Sequence, residues 1–435
     1  MEWVVLLAVL LMTVLCLIKV NVILSILIST IAAGLMAGLG VIESVEVMVA
    51  GMGNAANTAL SYILLGAFAV AISYTGITKI LVNFLIRILT GKKTMMLLAL
   101  TGVACLSQNV VPVHIAFIPI LIPPLLKLFD QMRVDRRAVA LALTFGLKAP
   151  YVMIPAGFGL IFQNLILNGL ESNGAEITLH EVTLSMLIPG SGMIIGLLIG
   201  LFITYRKDKT PKGILEKDNI KTEALAEEAV FSKQHLFTII AIVLALAVQI
   251  ITQNLILGAL TGIIAMFLLV ALPFKDLDRV MTSGISMMGT ISFVILVAAG
   301  FANVLQETGA VTALVEVSSS ALGDNKPLIA FMLLLLGLII TMGIGTSFGT
   351  IPIIAALFVP ICLAAGFSPL ATAALVGTAG ALGDAGSPAS DSTLGPTSGL
   401  NADGNHDHIW DTCVPTFIHY NIPLFIFGWM AAMFL

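Results

Sequence analysis

The sequence predicts an all-α polytopic membrane protein made of two inverted-topology repeats, each with a re-entrant helical hairpin and a broken transmembrane helix. Three observations carry that expectation: the composition, the recurrence of long apolar runs, and a likeness between the two halves of the chain. Of 435 residues, 59% are hydrophobic and only 10% charged, and a mean hydropathy of +1.08 leaves too little polar surface for a water-soluble globule. Runs such as Val4 to Ile18, Val22 to Leu39 and His235 to Ile251 approach the roughly 20 helical residues that cross a bilayer. They lack the alternation of barrel strands, so helices are left to satisfy the backbone polar groups in lipid.

The first segment opens Met1-Glu2-Trp3, with no basic n-region and no small-residue cleavage site, and reads as a retained span. Cys16, Cys105, Cys362 and Cys413 lie in or beside apolar segments without paired spacing, which fits packing better than disulfides or metal. The net charge of −4 is small, and no nucleic-acid partner is expected.

The one clear break in apolar character, residues 206–233, is a mixed-charge linker that divides a membrane repeat at 1–205 from another at 234–435. At a constant shift of 233, Met48 matches Met281, Gly51 matches Gly284, and Phe68-Ala69 matches Phe301-Ala302. Thr75-Gly76 and Leu81-Val82 find Thr308-Gly309 and Leu314-Val315 in the same register, making eight identities over 35 ungapped positions. With a small insertion, FIPI at Phe117 matches FVPI at Phe358. Each follows a polar interruption, LSQN from Leu106 and GTSFGT from Gly345, that splits an apolar run into pieces of roughly a dozen residues. Pieces that short do not span a bilayer, so each pair reads as a re-entrant hairpin, at about 94–125 and 327–365.

Charge placement orients the copies. Nineteen of the 20 Lys and Arg residues precede position 282, clustered at 87–93, 127–137, 206–233 and 275–279. Putting all four clusters in the cytoplasm places both termini and the acidic stretch 171–181 outside, and opens the first hairpin to the cytoplasm and the second to the outside. Inverted repeats of this kind are the architecture of secondary transporters in the cell membrane.

Some 40 residues after each hairpin tip comes a span interrupted by Pro, Gly and polar groups: LALTFGLKAPYVMIPAG, with Lys148, Pro150 and Pro155, and GDAGSPASDSTLGP from Gly383. Both helices are expected to unwind at these prolines, freeing carbonyls and amides that lipid tolerates only around a cavity or a ligand. A carboxylate at the bilayer centre costs about 2.5 to 3.5 kcal/mol, so Asp384 and Asp391 need a cation, a proton, Lys148 or water. Ser387, Ser390, Ser392 and Thr393 add the uncharged oxygens that Na+ prefers; Thr346, Ser347 and Thr350 on the second tip, and Ser107, Gln108 and Asn109 on the first, add donors and acceptors. The bland alternative is that such hydroxyls cap broken helices and help spans pack.

Lys148 is open between counter-ion, solute binder and snorkelling residue. His114 after Pro112 is open between solute contact and packing, as is His419 in the last span. In NADGNHDHIWD, His406 and His408 sit among Asp403, Asp407 and Asp411, where a solvated cytoplasmic turn is a better reading than a metal site.

GALGDAGSPASDSTLGP resembles the signature of the NhaC-type Na+/H+ antiporter family, and GTSFGT its second-hairpin motif. The ending GLNADGNHDHIWDTCVPTFIHYNIPLFIFGW looks most like a branch of bacterial permeases described as amino-acid, notably histidine, carriers. The resemblance implies the elevator-type fold of the ion-transporter superfamily, with hairpins facing each other, ions at tips and unwound helices, and a homodimer. It puts ion contacts on Ser347, Thr350, Asp384, Ser387, Ser390, Asp391 and Thr393. Solute contacts are expected at Ser107, Gln108, Asn109, His114, Lys148 and Thr346.

The first reading is thus a cation-coupled carrier of a small amino acid, driven by Na+ or H+ and needing no cofactor. The second is a Na+/H+ antiporter without organic substrate. An intramembrane aspartyl protease fails on spacing, since Gly380-Ala-Leu-Gly-Asp384 is one residue too long for its motif and Asp391 lies in the same segment. A channel fits dead-end hairpins less well than alternating access does. The topology makes its own prediction. With a membrane-impermeant maleimide applied to whole cells, a cysteine introduced near residue 175 is labelled and one near 215 is not; labelling of both from one side rejects the path.

Overall fold

The computed structural model of the chain describes residues 2–18, 20–77, 80, 93–109, 118–207, 231–252, 254–269, 271–313, 325–388 and 390–435. The expected spans form where the apolar runs lie: α1 (Glu2–Leu17), α2 (Val22–Met36), α3 (Val41–Met52) and α4 (Ala56–Tyr74). Then come α5 (Lys93–Asn109), α6 (Ile118–Gln131), α7 (Arg136–Met153), α8 (Phe158–Glu171) and α9 (Leu179–Ile199). Beyond the linker follow α10 (Lys233–Thr252), α11 (Leu255–Leu268), α12 (Leu277–Glu307), α13 (Lys326–Ile344) and α14 (Ser347–Ala364). The broken pair α15 (Pro369–Ala381) and α16 (Asp391–Leu400) leads to the last helical run, α17 (His408–Phe434). Among the described residues there is no strand.

Six of these helices are long and apolar enough to cross a membrane, and α7 with α8, bent by 47°, makes a seventh. Large apolar side chains such as Leu10, Ile28, Ile195, Val243 and Ile251 are exposed on the outside, while Ser, Thr, Gln and Asn lie buried within. That is the distribution of a protein whose solvent is lipid.

Local chemistry sets the helix ends. Asn21, Thr178, Asn254, Asn325, Ser368 and Ser390 each accept a backbone N–H from the turn they open. Two expectations need correcting. The second-hairpin helices are not pieces of a dozen residues: α13 has 19 and α14 has 18, about 28 Å each. The polar tip interrupts only at Gly345 and Thr346, because Ser347 to Thr350 already wind into α14. Nor does Pro150 break its helix. It stays inside α7, and unwinding begins at Ile154, which Pro155 holds extended (φ −118°, ψ 120°).

The halves meet along α4 and α12. Ser292 donates to the carbonyl of Ala59, the residue 233 positions away, at 3.2 Å. Gly51 lies against Ala299 and Asn303, and Gly284, its counterpart at the same shift, lies against Gly66 and Ala67. The Gly51–Ala299 and Gly66–Gly284 contacts thus join residues that correspond at the shift of 233.

Helix ends gather in two sets. Arg136 meets Leu400 and Asp403, and Tyr74 meets Asp276; at the other end Gln306 meets Asn173, Ser368 meets Leu435 and Lys326 meets Gly366.

The close approach of α12 to α4 leaves no room at Gly284, where a Cβ falls 2.4 Å from Ala67 backbone atoms; at Gly289 it meets only Ile285, at 3.9 Å. Gly284→Ala is therefore expected to lose about 1–3 kcal/mol through overpacking, while Gly289→Ala gains the helix propensity of alanine. Thermal midpoints in detergent check this, and equal shifts in both variants reject close approach as the constraint.

Candidate functional site

The stretches that follow α7 and α15 open beside the ends of α5 and α13. After α7, residues 154–157 leave the helix, and Gly157 adopts φ +56°, a conformation natural to glycine. A Cβ there would sit 2.6 Å from the Gln108 carbonyl and 2.9 Å from Asn109 Cα. After α15, Gly383 (φ +83°) lies as close to the Leu338 carbonyl and Met342. In each half, then, a left-handed glycine presses the break against the end of the first hairpin helix.

The two tips satisfy their breaks differently. Asn109 Nδ2 lies 3.0 to 3.3 Å from the carbonyls of Pro150, Ile154 and Ala156, each of which also accepts a backbone N–H at the bend, while its buried Oδ1 has no hydrogen-bond partner among the described residues. Gln163 donates to a fourth carbonyl, Val152. In the second half the tip meets a charge. Ser347 donates to Asp384 Oδ2 from its N–H at 3.0 Å and its hydroxyl at 2.7 Å. Tyr151 adds a longer bond at 3.4 Å. Ser390 and Ser392 donate to Oδ1, the latter at 3.0 Å.

Lys148 closes the site. Its ammonium forms an ion pair with Asp384, meets the Tyr151 hydroxyl, and donates to Ser347 Oγ at 2.7 Å. The side chains are 1% and 8% exposed, so Lys148 is the counter-ion and does not snorkel. It reaches across the halves from α7, and Thr144, one turn earlier, donates to the Ser392 carbonyl at 2.8 Å.

The remaining expected residues divide. Ser387 donates to the Met342 carbonyl, Thr393 to the carbonyls of Ser387 and Ser390, Thr350 to Thr346 and Ser107 to Ala104. Each of these hydroxyls is thereby held to a backbone carbonyl. Thr346 is extended at the tip, and Gln108 is buried beside Gly157. Asp391 departs from the expected unwound run: it is the first residue of α16, half-buried, since Ser390 caps that helix at the Ser392 N–H. His114 lies outside the described residues. Tyr151, Thr144 and Gln163 were not picked out from the sequence; the spacing Lys148-x-x-Tyr151, one helix face, was the available signal for the first.

His406 and His408 do not sit in a solvated turn. The chain is exposed from Asn401 to Asn405, but His406 is buried against Thr412 at 2.7 Å, and His408 joins the Pro388 carbonyl at 2.9 Å to Thr397 at 2.7 Å. The freed carbonyls of the break and the start of α17 supply polar partners that draw both rings inward. His419 spans Pro415 and Thr204 as a packing residue. Among the described residues no group of three or more His, Cys, Asp or Glu could hold a metal ion, and Cys105, Cys362 and Cys413 are free thiols.

A helical bundle of this length, apolar outside, with broken helices around a buried ion pair, is a multi-pass membrane transporter. Two profiles, described as the Na+/H+ antiporter family and the Na+-H+ antiporter family, match residues 142–429 and 4–89. The chain belongs to the Na+/H+ antiporter family. It is 51% identical over 436 residues to an uncharacterized membrane protein of Vibrio parahaemolyticus, covering 98% of each. It is 47% identical over 413 residues to the putative amino acid transporter YuiF of Bacillus subtilis, covering 91% of this chain and 92% of that one. The fold is shared, at 14% identity, with the YdaH transporter of Alcanivorax borkumensis (TM-score 0.61, 89% and 86% covered). It is also shared, at 14% identity, with MtrF of Neisseria gonorrhoeae, described with a class of antimetabolite efflux pumps (TM-score 0.63, 91% and 85% covered).

At one end of the bundle, Arg136 binds Asp403 through two bonds of 2.7 Å and also holds Asp130 and the Leu400 carbonyl, clamping the end of α16 to the start of α7. The guanidinium holds the Asp403 carboxyl down at about 2, against an ordinary 3.8. Because the folded value is the lower one, the clamp contributes fully above pH about 4 and is lost as pH falls toward 2. The gap in thermal midpoint between wild type and Asp403→Asn is accordingly constant from pH 7 to about 4 and shrinks below; an unchanging gap at pH 3 rejects the linkage.

Proposed function

We propose that the protein is a cation-coupled carrier that moves a small amino acid across the cell membrane by alternating access. The observation that carries this reading is the buried Lys148–Asp384 pair, which joins the broken helix of one half to the tip and break of the other. With Asp391 nearby, the centre holds one ammonium and two carboxylates, a formal charge that one monovalent cation completes.

The pair supplies a reason for coupling. Lys148 occupies the carboxylate that a cation needs, so Na+ or a proton arriving at Asp384 displaces the ammonium. The freed ammonium then loses its ion-pair partner within a buried site, at a cost of several kcal/mol, unless a solute carboxylate takes Asp384's place. The same cost bars solute binding without the cation. Ser347, Ser390 and Ser392 follow Asp384 in offering oxygens to the ion; Thr350, Ser387, Thr393 and Asp391 complete the ion side. Ser107, Gln108, Asn109, Thr346 and His114 belong on the solute side, where Asn109 Oδ1, without a hydrogen-bond partner among the described residues, is an acceptor for the solute.

The reciprocal contacts between α4 and α12 support inverted repeats, and the two sets of helix ends support the path with both termini outside and the linker in the cytoplasm. An elevator movement and a homodimer are part of the same reading, through the family resemblance. That YuiF is described as a putative amino acid transporter adds weight to the choice of solute.

Reconstituted into liposomes, the protein is expected to accumulate one of a panel of radiolabelled amino acids when a Na+ or H+ gradient is imposed; Na+/H+ exchange with no solute rejects the carrier. Asp384→Asn and Asp391→Asn are expected to insert normally and abolish coupled uptake. Lys148→Met alone leaves Asp384 buried without its counter-ion and lowers the thermal midpoint by the equivalent of about 3–5 kcal/mol. The double variant Lys148→Met/Asp384→Leu regains most of that stability but not uptake.

A further inference from the structure

At the end of the molecule where α8 finishes and α11 begins, two adjoining clefts of about 100 and 240 Å³ share Thr58 and Asn168. Among the described residues no charged side chain lines either one. Their polar walls are amides and hydroxyls: Asn57 and Ser61 from α4, Asn164 from α8, Asn303 and Gln306 from α12. Such a lining offers an ion no full counter-charge, but it gives a neutral solute many donors and acceptors at once. The first turn of α11, Leu255 and Ile256, stands at one edge, and the last turn of α8, through Ser172, at another. Helix ends of opposite sense carry fractional charges of opposite sign, which suits a molecule with a carboxylate at one end and an ammonium at the other.

Three helices run from these clefts to the ion pair in the same order. On α4, Thr58 and Ser61 line the clefts and Tyr62 comes next. On α8, Leu165 and Ile161 line them, and Phe162 and Phe158 follow; on α14, Ala356 and Pro352 precede Phe348 and then Ser347. Tyr62, Phe158, Phe162, Phe348 and Tyr151 form one aromatic layer, with centroids 5.0 to 6.4 Å apart. Within it the Tyr62 hydroxyl is buried and has no hydrogen-bond partner among the described residues. A buried hydroxyl left without a partner is destabilising, and a passing solute can relieve that.

We propose that the amide-lined clefts are a first binding station for a zwitterionic amino acid, separate from the Lys148–Asp384 site. The aromatic layer divides the two stations, and Tyr62 meets the solute as it crosses. This station rests on the carrier reading above and adds to it a second place where the solute is held.

The test uses the whole protein in liposomes for uptake and in nanodiscs for equilibrium binding, with the twenty radiolabelled L-amino acids offered singly. Asn168→Ala and Asn164→Ala are expected to raise KM about tenfold with the maximal rate little changed. Lys148→Met is expected to lose uptake yet keep one binding component, which Asn168→Ala then removes. The methyl ester and the N-acetyl derivative of the carried amino acid, each lacking one charge of the zwitterion, are expected not to compete for that component. Loss of all binding in Lys148→Met, a wild-type KM in both asparagine variants, or competition by both derivatives overturns the outer station while leaving the carrier standing. A wild-type protein that neither binds nor moves any of the twenty overturns both.

Discussion

The contact on which the architecture turns is the ion pair between Lys148 and Asp384. Two opposite charges are buried where water does not screen them, and each is tolerable only because the other is there. Everything around the pair serves to keep it satisfied. Ser347 brings a backbone N–H and a hydroxyl, Ser390 and Ser392 bring hydroxyls to the other carboxylate oxygen, and Tyr151 lies beside the ammonium. The pair also fixes which elements must be neighbours, since α7, the second tip and the break before α16 converge on it.

The breaks exist because of backbone geometry. Gly157 and Gly383 take conformations that side-chain-bearing residues resist, and both do so where another helix end is too close to admit a Cβ. Freed carbonyls then need donors. In the first half Gln163 donates to the Val152 carbonyl and the Asn109 amide sits among three carbonyls at the bend; in the second half the donors gather around a carboxylate instead. The same mechanical device thus produces a neutral cradle on one side and a charged one on the other, joined by Lys148.

The contact between halves follows from small residues. Gly51, Gly66 and Gly284 let α3 and α4 lie against α12 at backbone distance, which in lipid replaces the hydrophobic drive that water supplies to soluble proteins. That seam stands apart from the ion pair, and the amide-lined clefts lie between the seam and α8. The close-packed seam and the cluster of broken helices thus occupy different parts of the bundle.

What the sequence determined by itself is the class and its parts: apolar runs long enough for lipid, the repeat at a shift of 233, the breaks after Lys148 and at Asp384, and membership suggested by GDAGSPASDSTLGP. These are legible because hydropathy, Pro, Gly and charge act locally along the chain. Only the tertiary structure decided that Lys148 pairs with Asp384 rather than reaching the surface, since its partner stands 236 positions away and burial depends on both halves together. It likewise decided that Asp391 starts a helix while Asp384 sits in the break, two carboxylates alike in composition but separated by one serine cap. Tyr62 shows the same limit: nothing in its own stretch distinguishes it from a packing tyrosine, and its place between cleft and ion pair is made by α8 and α14 folding against α4.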